Sequence, residues 1–143
     1  MFENIESKRL SYRPFKYEDY PFLQVILGDK LVREFLPGPD SYTDELVKKV
    51  MNHYITSAFA KDKYQKIYLI SIKETKEPIG YVGIQLVKEF NKYEIFYGFI
   101  PSAWKKGFGS EASKRMKELA KDLKLKELIA LADINNIASQ KIL

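Results

Sequence analysis

No cysteine occurs among the 143 residues, which removes a disulfide framework, a thiolate nucleophile and any Cys-ligated zinc or iron–sulfur centre. Histidine is nearly as scarce: His53 stands alone and gives no basis for a His-rich metal site. Glycine and proline number only 7 and 6, so collagen-like and low-complexity compositions are excluded. No apolar run approaches the roughly 18 residues that a spanning helix needs. The start, Met1-Phe2-Glu3-Asn4-Ile5-Glu6, lacks the basic-then-apolar order of a secretion signal. What remains is a chain 45% hydrophobic and 30% charged, of a length that suits a single domain over 1–143 with its own core. The cytoplasm is the default location, and no membrane partner is expected.

Charge of one sign is concentrated. The net charge is +5, and between Lys105 and Lys126 eight basic residues face three acidic ones, so this stretch holds the whole excess. Such a segment either forms a solvated helix face or attracts an anion, for which phosphate is the natural candidate.

Leu10 and Tyr12 alternate with Arg9, Ser11 and Arg13 in a strand pattern over Ser7 to Phe15 that Pro14 ends. From Tyr17, apolar residues at helical spacing predict one or two short helices, stopped by Pro37-Gly38-Pro39-Asp40. Thr43 is placed to cap a helix running through Leu46, Val50 and Tyr54 to an end near Lys61. Three strand-like runs follow as an antiparallel meander: Ile67–Ile72, Ile79–Val87 and Tyr93–Ile100. Ala112, Met116, Leu119, Ala120 and Leu123 define a helix after Gly107-Phe108-Gly109-Ser110, and Leu128–Leu131 reads as a buried parallel strand. A last helix is expected from Asn135 or Asn136.

The chemistry points to Trp104-Lys105-Lys106-Gly107-Phe108-Gly109-Ser110. Glycines at 107 and 109 let the backbone curl so that N–H groups converge at a helix N-terminus, an anion pocket beside which Lys105 and Lys106 add mobile charge. This suits a pyrophosphate. The loop is neither a Walker A sequence nor the dinucleotide fingerprint, because position 112 is Ala and the loop follows an antiparallel meander.

Five segments together resemble the GNAT superfamily of acyl-CoA-dependent N-acetyltransferases, in the branch typified by the RimJ and RimL ribosomal-protein N-terminal acetyltransferases. They are Lys8–Phe15, Glu77–Ile84, Glu94–Tyr97, Trp104–Ala112 and Asn136–Leu143. The resemblance implies an α/β (α+β) GNAT fold: a mixed, mostly antiparallel sheet with helices on both faces. Its fourth and fifth strands splay apart and the pantetheine arm of acetyl-CoA lies between them. It further implies that Lys105 to Ser110 hold the pyrophosphate, that Trp104 is the aromatic with which this branch opens its loop, and that Asn136 is a cofactor-side residue. Ser139 matches a serine proposed to stabilise the departing thiolate, while the tyrosine acid of the wider superfamily falls at Leu143, which disfavours a Tyr-acid mechanism.

The reaction expected is direct acetyl transfer in a ternary complex, without metal, to a primary amine of a protein N-terminus or a small molecule. A backbone N–H at Phe99 or Ile100 is the candidate oxyanion donor. Glu94 is the candidate base, because burial among Tyr93, Ile95 and Phe96 would raise a carboxylate's pKa; its bland alternative is a strand ion pair. Phe96 replaces a glycine common in relatives and is expected to narrow or block the acceptor pocket. His53 reads as a surface or packing residue, Tyr81 and Tyr97 as core or pocket walls. Relatives continue past the helix over Ser139–Leu143 with two further strands, so a C-terminally truncated domain is expected. Two rival readings remain: a non-catalytic acyl-CoA-binding remnant, and a basic module that binds RNA or another polyanion. A homodimer is left open.

Overall fold

The segment Lys66–Ile72 holds four consecutive buried residues, Ile67 to Ile70, and such a strand must be covered on both faces. The structure, a computed structural model, describes residues 3–35, 42–130 and 140–141. Seven strands lie side by side in chain order: β1 (Ile5–Glu6), β2 (Leu10–Pro14), β3 (Lys66–Ile72), β4 (Pro78–Val87), β5 (Lys92–Phe99), β6 (Leu128–Ala130) and β7 (Gln140–Lys141). Every neighbouring pair is antiparallel except β5 and β6. The expected mixed, mostly antiparallel sheet is therefore present.

Helices α1 (Tyr20–Gly28), α2 (Lys30–Phe35) and α3 (Asp44–Ser57) belong to one face, and α4 (Phe108–Asp122) covers the other. Leu23, Ile26, Val47, Met51 and Tyr54 pack with Ile67, Leu69 and Tyr81 on the first face. Phe108, Ala112, Met116 and Ala120, every fourth residue and hence one stripe of α4, pack with Tyr68, Ile70, Val82, Ile84 and Ile95 on the second. Among the described residues no helix is long and apolar enough to cross a membrane.

Local chemistry sets the element ends. Thr43 Oγ1 accepts the Leu46 N–H at 3.2 Å and starts α3 as its spacing predicts. The helix stops at Ser57, short of Lys61: the Ser57 hydroxyl donates to Tyr54 O at 2.7 Å, and Ala58 and Phe59 tighten onto Ile55 and Thr56 carbonyls. Past β2, Arg13 forms a two-pronged bond to buried Asp19 at 2.8 and 2.7 Å, and that hydrogen-bonded partner raises the guanidinium pKa. Arg13 thus serves the fold.

Three differences from the sequence reading have physical causes. The first long strand begins at Leu10 rather than Ser7, because the Ser7 hydroxyl and the Arg9 N–H turn away to the Glu111 carboxylate. The two-residue β1 then pairs back on β2, which sequence pattern alone did not signal. Gln140–Lys141, expected inside a helix, is instead a strand: the outer edge of β6 offers unpaired backbone groups, and these two residues satisfy them at Ile129 and Ala130. Asn136, Ser139 and Leu143 lie outside the described residues.

Candidate active site

The chain leaves β5 through a 3-10 turn at Pro101–Ala103 and enters α4 at Gly107, whose φ of 80° is the left-handed conformation that glycine adopts without a Cβ penalty. Lys105 also takes positive φ, 61°, so the loop curls twice within three residues. Glu111 N–H bonds back to Gly107 O at 3.0 Å, and no side chain caps the helix. By helix geometry the N–H groups of Phe108, Gly109 and Ser110 have no acceptor within the helix, and the dipole there favours negative charge. With exposed Lys105 and Lys106 alongside, these donors suit the phosphates of a nucleotide-bearing acyl donor.

The loop is braced from β2. Arg9 Nε donates to Glu111 Oε1 at 2.7 Å, Arg9 Nη1 to Lys106 O at 2.9 Å, and the guanidinium lies 4.4 Å from the Phe108 ring centre. Burial alone would raise the Glu111 pKa, but hydrogen bonds from Ser7 and from Arg9 backbone and side chain outweigh it and hold the carboxyl below its usual 4.5. Neither Arg9 nor Glu111 stood out in the sequence, because 102 residues separate them.

The open edge of β5 comes next. Ile100 N–H is donated to Ile79 O at 2.9 Å, so it belongs to the sheet. Antiparallel alternation then turns the N–H and C=O of Tyr97 and Phe99 away from β4, toward the side where β6 lies. The parallel ladder between β5 and β6, the fourth and fifth strands once the two-residue β1 is left out of the count, covers only Tyr93 to Ile95, and among the described residues no strand pairs with that edge at Tyr97–Phe99. Of the two oxyanion candidates, Phe99 therefore has the N–H that faces away from β4, with no partner among the described residues. Its carbonyl accepts Trp104 Nε1 at 2.8 Å, and Trp104 packs against both core clusters, anchoring the loop to the end of β5.

Glu94 stands at the other end of β5. Its Oε1 accepts Gln85 Nε2 at 2.8 Å, and Gln85 Oε1 lies 3.2 Å from His53 Nε2, which this amide orientation makes a donor. Glu94 is half-buried and, among the described residues, forms no ion pair; a strand glutamine holds it, with the exposed His53 behind. Five residues of strand put Glu94 about 16 Å from Phe99, so the two do not converge on one atom. Between them, on the face of Glu94, the Phe96 ring lies over Gly83, where an added Cβ would approach it to 2.8 Å. Phe96 also sits 6.1 Å from the Tyr81 ring and 6.2 Å from Tyr54. Phe96 thus packs with Tyr81 and Tyr54 in one aromatic cluster on the α1–α3 face.

Comparison with known proteins gives this arrangement a family. Residues 9–143 match the family described as the acetyltransferase (GNAT) domain. An uncharacterized N-acetyltransferase, YnaD of Bacillus subtilis, is 26% identical over 141 residues, covering 98% of this chain and 79% of that protein. An acetyltransferase from Agrobacterium tumefaciens superposes with a TM-score of 0.81 at 22% identity, over 96% of this chain and 78% of that one. RimL, a ribosomal-protein alpha-N-acetyltransferase solved with coenzyme A, gives 0.73 at 20% identity, over 94% and 77%. A family match that runs from Arg9 at the base of the loop brace through strands β2 to β7 means that the chain belongs to the GNAT acetyltransferase family and is an N-acetyltransferase.

Proposed function

We propose that the protein transfers the acetyl group of acetyl-CoA directly to a primary amine in a ternary complex. The observation that carries this reading is the meeting of two sets of backbone donors with no partner in the described structure: those at the start of α4 and those on the β5 edge at Tyr97 and Phe99. The loop from Lys105 to Ser110 takes the pyrophosphate and the β5 edge takes the pantetheine arm. The Phe99 N–H then faces the acyl oxygen, where a fixed donor favours the charge that builds during attack. As the amine nitrogen bonds to the acyl carbon, the carbon–sulfur bond breaks. One amine proton leaves through water, for which Glu94, oriented by Gln85, is the receiving carboxylate. Asn136 and Ser139 keep the roles that the resemblance implies, on the cofactor and at the departing sulfur.

Among acceptors, the RimJ/RimL branch favours a protein N-terminal amine; this rests on the sequence segments quoted above and on the fold shared with RimL. A small-molecule amine is the alternative, and the cytoplasm is the location proposed. The polyanion-binding rival predicts no thiol release from acetyl-CoA and a steep salt dependence for nucleic acid.

Thermal unfolding with acetyl-CoA, and with ATP as a phosphate-only control, tests this. At a hundredfold excess over Kd, binding adds about 2.7 kcal/mol, a rise of roughly 5 to 10 °C for a domain of this size. A shift with acetyl-CoA and little with ATP supports the reading; equal shifts, or none, contradict it.

A further inference from the structure

Two tyrosine hydroxyls on the α1–α3 face stand out by what they lack. Tyr81 is 2% exposed and Tyr54 8%, and neither hydroxyl has a hydrogen-bond partner among the described residues. Burial raises both pKa values, so both hydroxyls stay protonated at any physiological pH. A buried polar group of this kind costs stability, and a native structure that keeps one has a use for it.

Tyr81 has the more telling position. It is paired with Gly98 across β4 and β5, and its ring leans over that glycine: a Cβ built there would meet the hydroxyl at 2.7 Å and the ring carbon that bears it at 2.8 Å. Only a residue without a side chain lets the hydroxyl reach over β5. Ordinary bond lengths then keep Tyr81 Oη within about 7 Å of the Phe99 nitrogen, whose N–H faces the open edge. Glu94, four residues before Gly98, is about 13 Å away along the strand.

We propose that the Tyr81 hydroxyl is a substrate contact of the acetyl transfer, accepting a hydrogen bond from the acceptor's primary amine beside the acyl carbon. This rests on the function proposed above. A carbonyl held in the sheet plane by Phe99 N–H is attacked from above or below that plane, and the α1–α3 face is the side on which Tyr81 Oη stands. Its oxygen lone pairs hold the amine so that the nitrogen lone pair points at the acyl carbon. Tyr81 keeps its own proton throughout; the C–N bond forms, the C–S bond breaks to leave a thiolate, and the displaced amine proton passes through water to the Glu94 carboxylate, as in the transfer proposed above. The Tyr54 and Phe96 rings, 5.8 and 6.1 Å from the Tyr81 ring, supply apolar walls on that side of the amine.

Tyr81→Phe removes the oxygen and nothing else. Wild type and variant are compared by thiol release with acetyl-CoA and three amines: spermidine, a hexapeptide with an unblocked N-terminus, and an amino sugar. Calorimetric titration with acetyl-CoA and a thermal melt accompany the assay. Expected are a fall of at least thirtyfold in kcat/KM for the best amine, acetyl-CoA affinity within twofold of wild type, and an unchanged or higher Tm. A kcat/KM within threefold of wild type overturns the assignment. A markedly lower Tm also overturns it, because the hydroxyl then has a structural partner. If wild-type protein binds no acetyl-CoA, or releases no thiol with any of the amines, the underlying function fails first and this inference with it.

Discussion

The two faces at the end of β5 are built on opposite principles. On the α4 face every polar group that braces the loop is paired: Ser7, Arg9 and Glu111 bond one another, and Arg9 also holds Lys106 O. On the α1–α3 face the residues above the strand are aromatic, and the hydroxyls of Tyr54 and Tyr81 have no such partners among the described residues. A satisfied network spends its polarity on geometry, whereas polarity left over under burial is available to a ligand. The first face therefore holds a loop in shape, and the second is the one on which the amine is proposed to dock.

The sharpest way to break that contrast is to unpair the braced face. Glu111→Ala strands Arg9 and Ser7 together and is expected to cost about 3 kcal/mol, from the loss of several hydrogen bonds to a charged group, read as a lower midpoint in urea. A cost under 0.5 kcal/mol would mean that the brace is ornamental. Next in size, Phe96→Ala removes a half-buried ring from the aromatic wall and is expected to cost about 2 kcal/mol while admitting bulkier amines in the thiol-release assay. An unchanged amine preference would detach Phe96 from acceptor selection.

The smallest effect is one of pH. The Glu111 carboxyl is held below its usual 4.5 in the folded protein, so its contribution is complete above about pH 4.5 and is lost as pH falls through the lower folded value. The stability gap between wild type and Glu111→Gln should narrow below that pH, because the glutamine stays neutral throughout. A gap that stays constant from pH 7 to pH 3 would show that the ionised carboxylate is not what braces the loop.

Much of this was legible in the residue order, for reasons that differ by element. The central strands were readable because Ile67–Ile72 and Ile79–Val87 are dense in β-branched and apolar side chains. Helix α4 was readable because Ala112, Met116, Leu119, Ala120 and Leu123 recur at helical spacing. The curled loop was visible from its glycines, and Gly107 has the positive φ that only glycine takes cheaply. What stayed hidden depends on pairing across the sheet. That Ile100 N–H is consumed by Ile79 while Phe99 N–H faces away from β4 follows from register, which no local pattern encodes. The Arg9–Glu111 brace joins residues 102 apart. His53 looked like a surface residue and is exposed, yet Gln85 links it to Glu94, a contact that only the packing of α3 on the sheet creates. Tyr81 was read as a wall, and its ring is one; its hydroxyl gains meaning only from the glycine opposite.

The central claim is that the exposed cations of the α4 loop, Lys105 and Lys106, hold the acyl donor without contributing to the fold. Calorimetric titration of acetyl-CoA into wild type and into the double variant Lys105→Glu, Lys106→Glu tests it most directly. Two exposed cations reversed beside a pyrophosphate should weaken binding by about a hundredfold at low salt, with the midpoint of unfolding moved by less than about 0.5 kcal/mol. Equal affinity in the two proteins would contradict the account and send the search for the acyl donor's phosphates elsewhere.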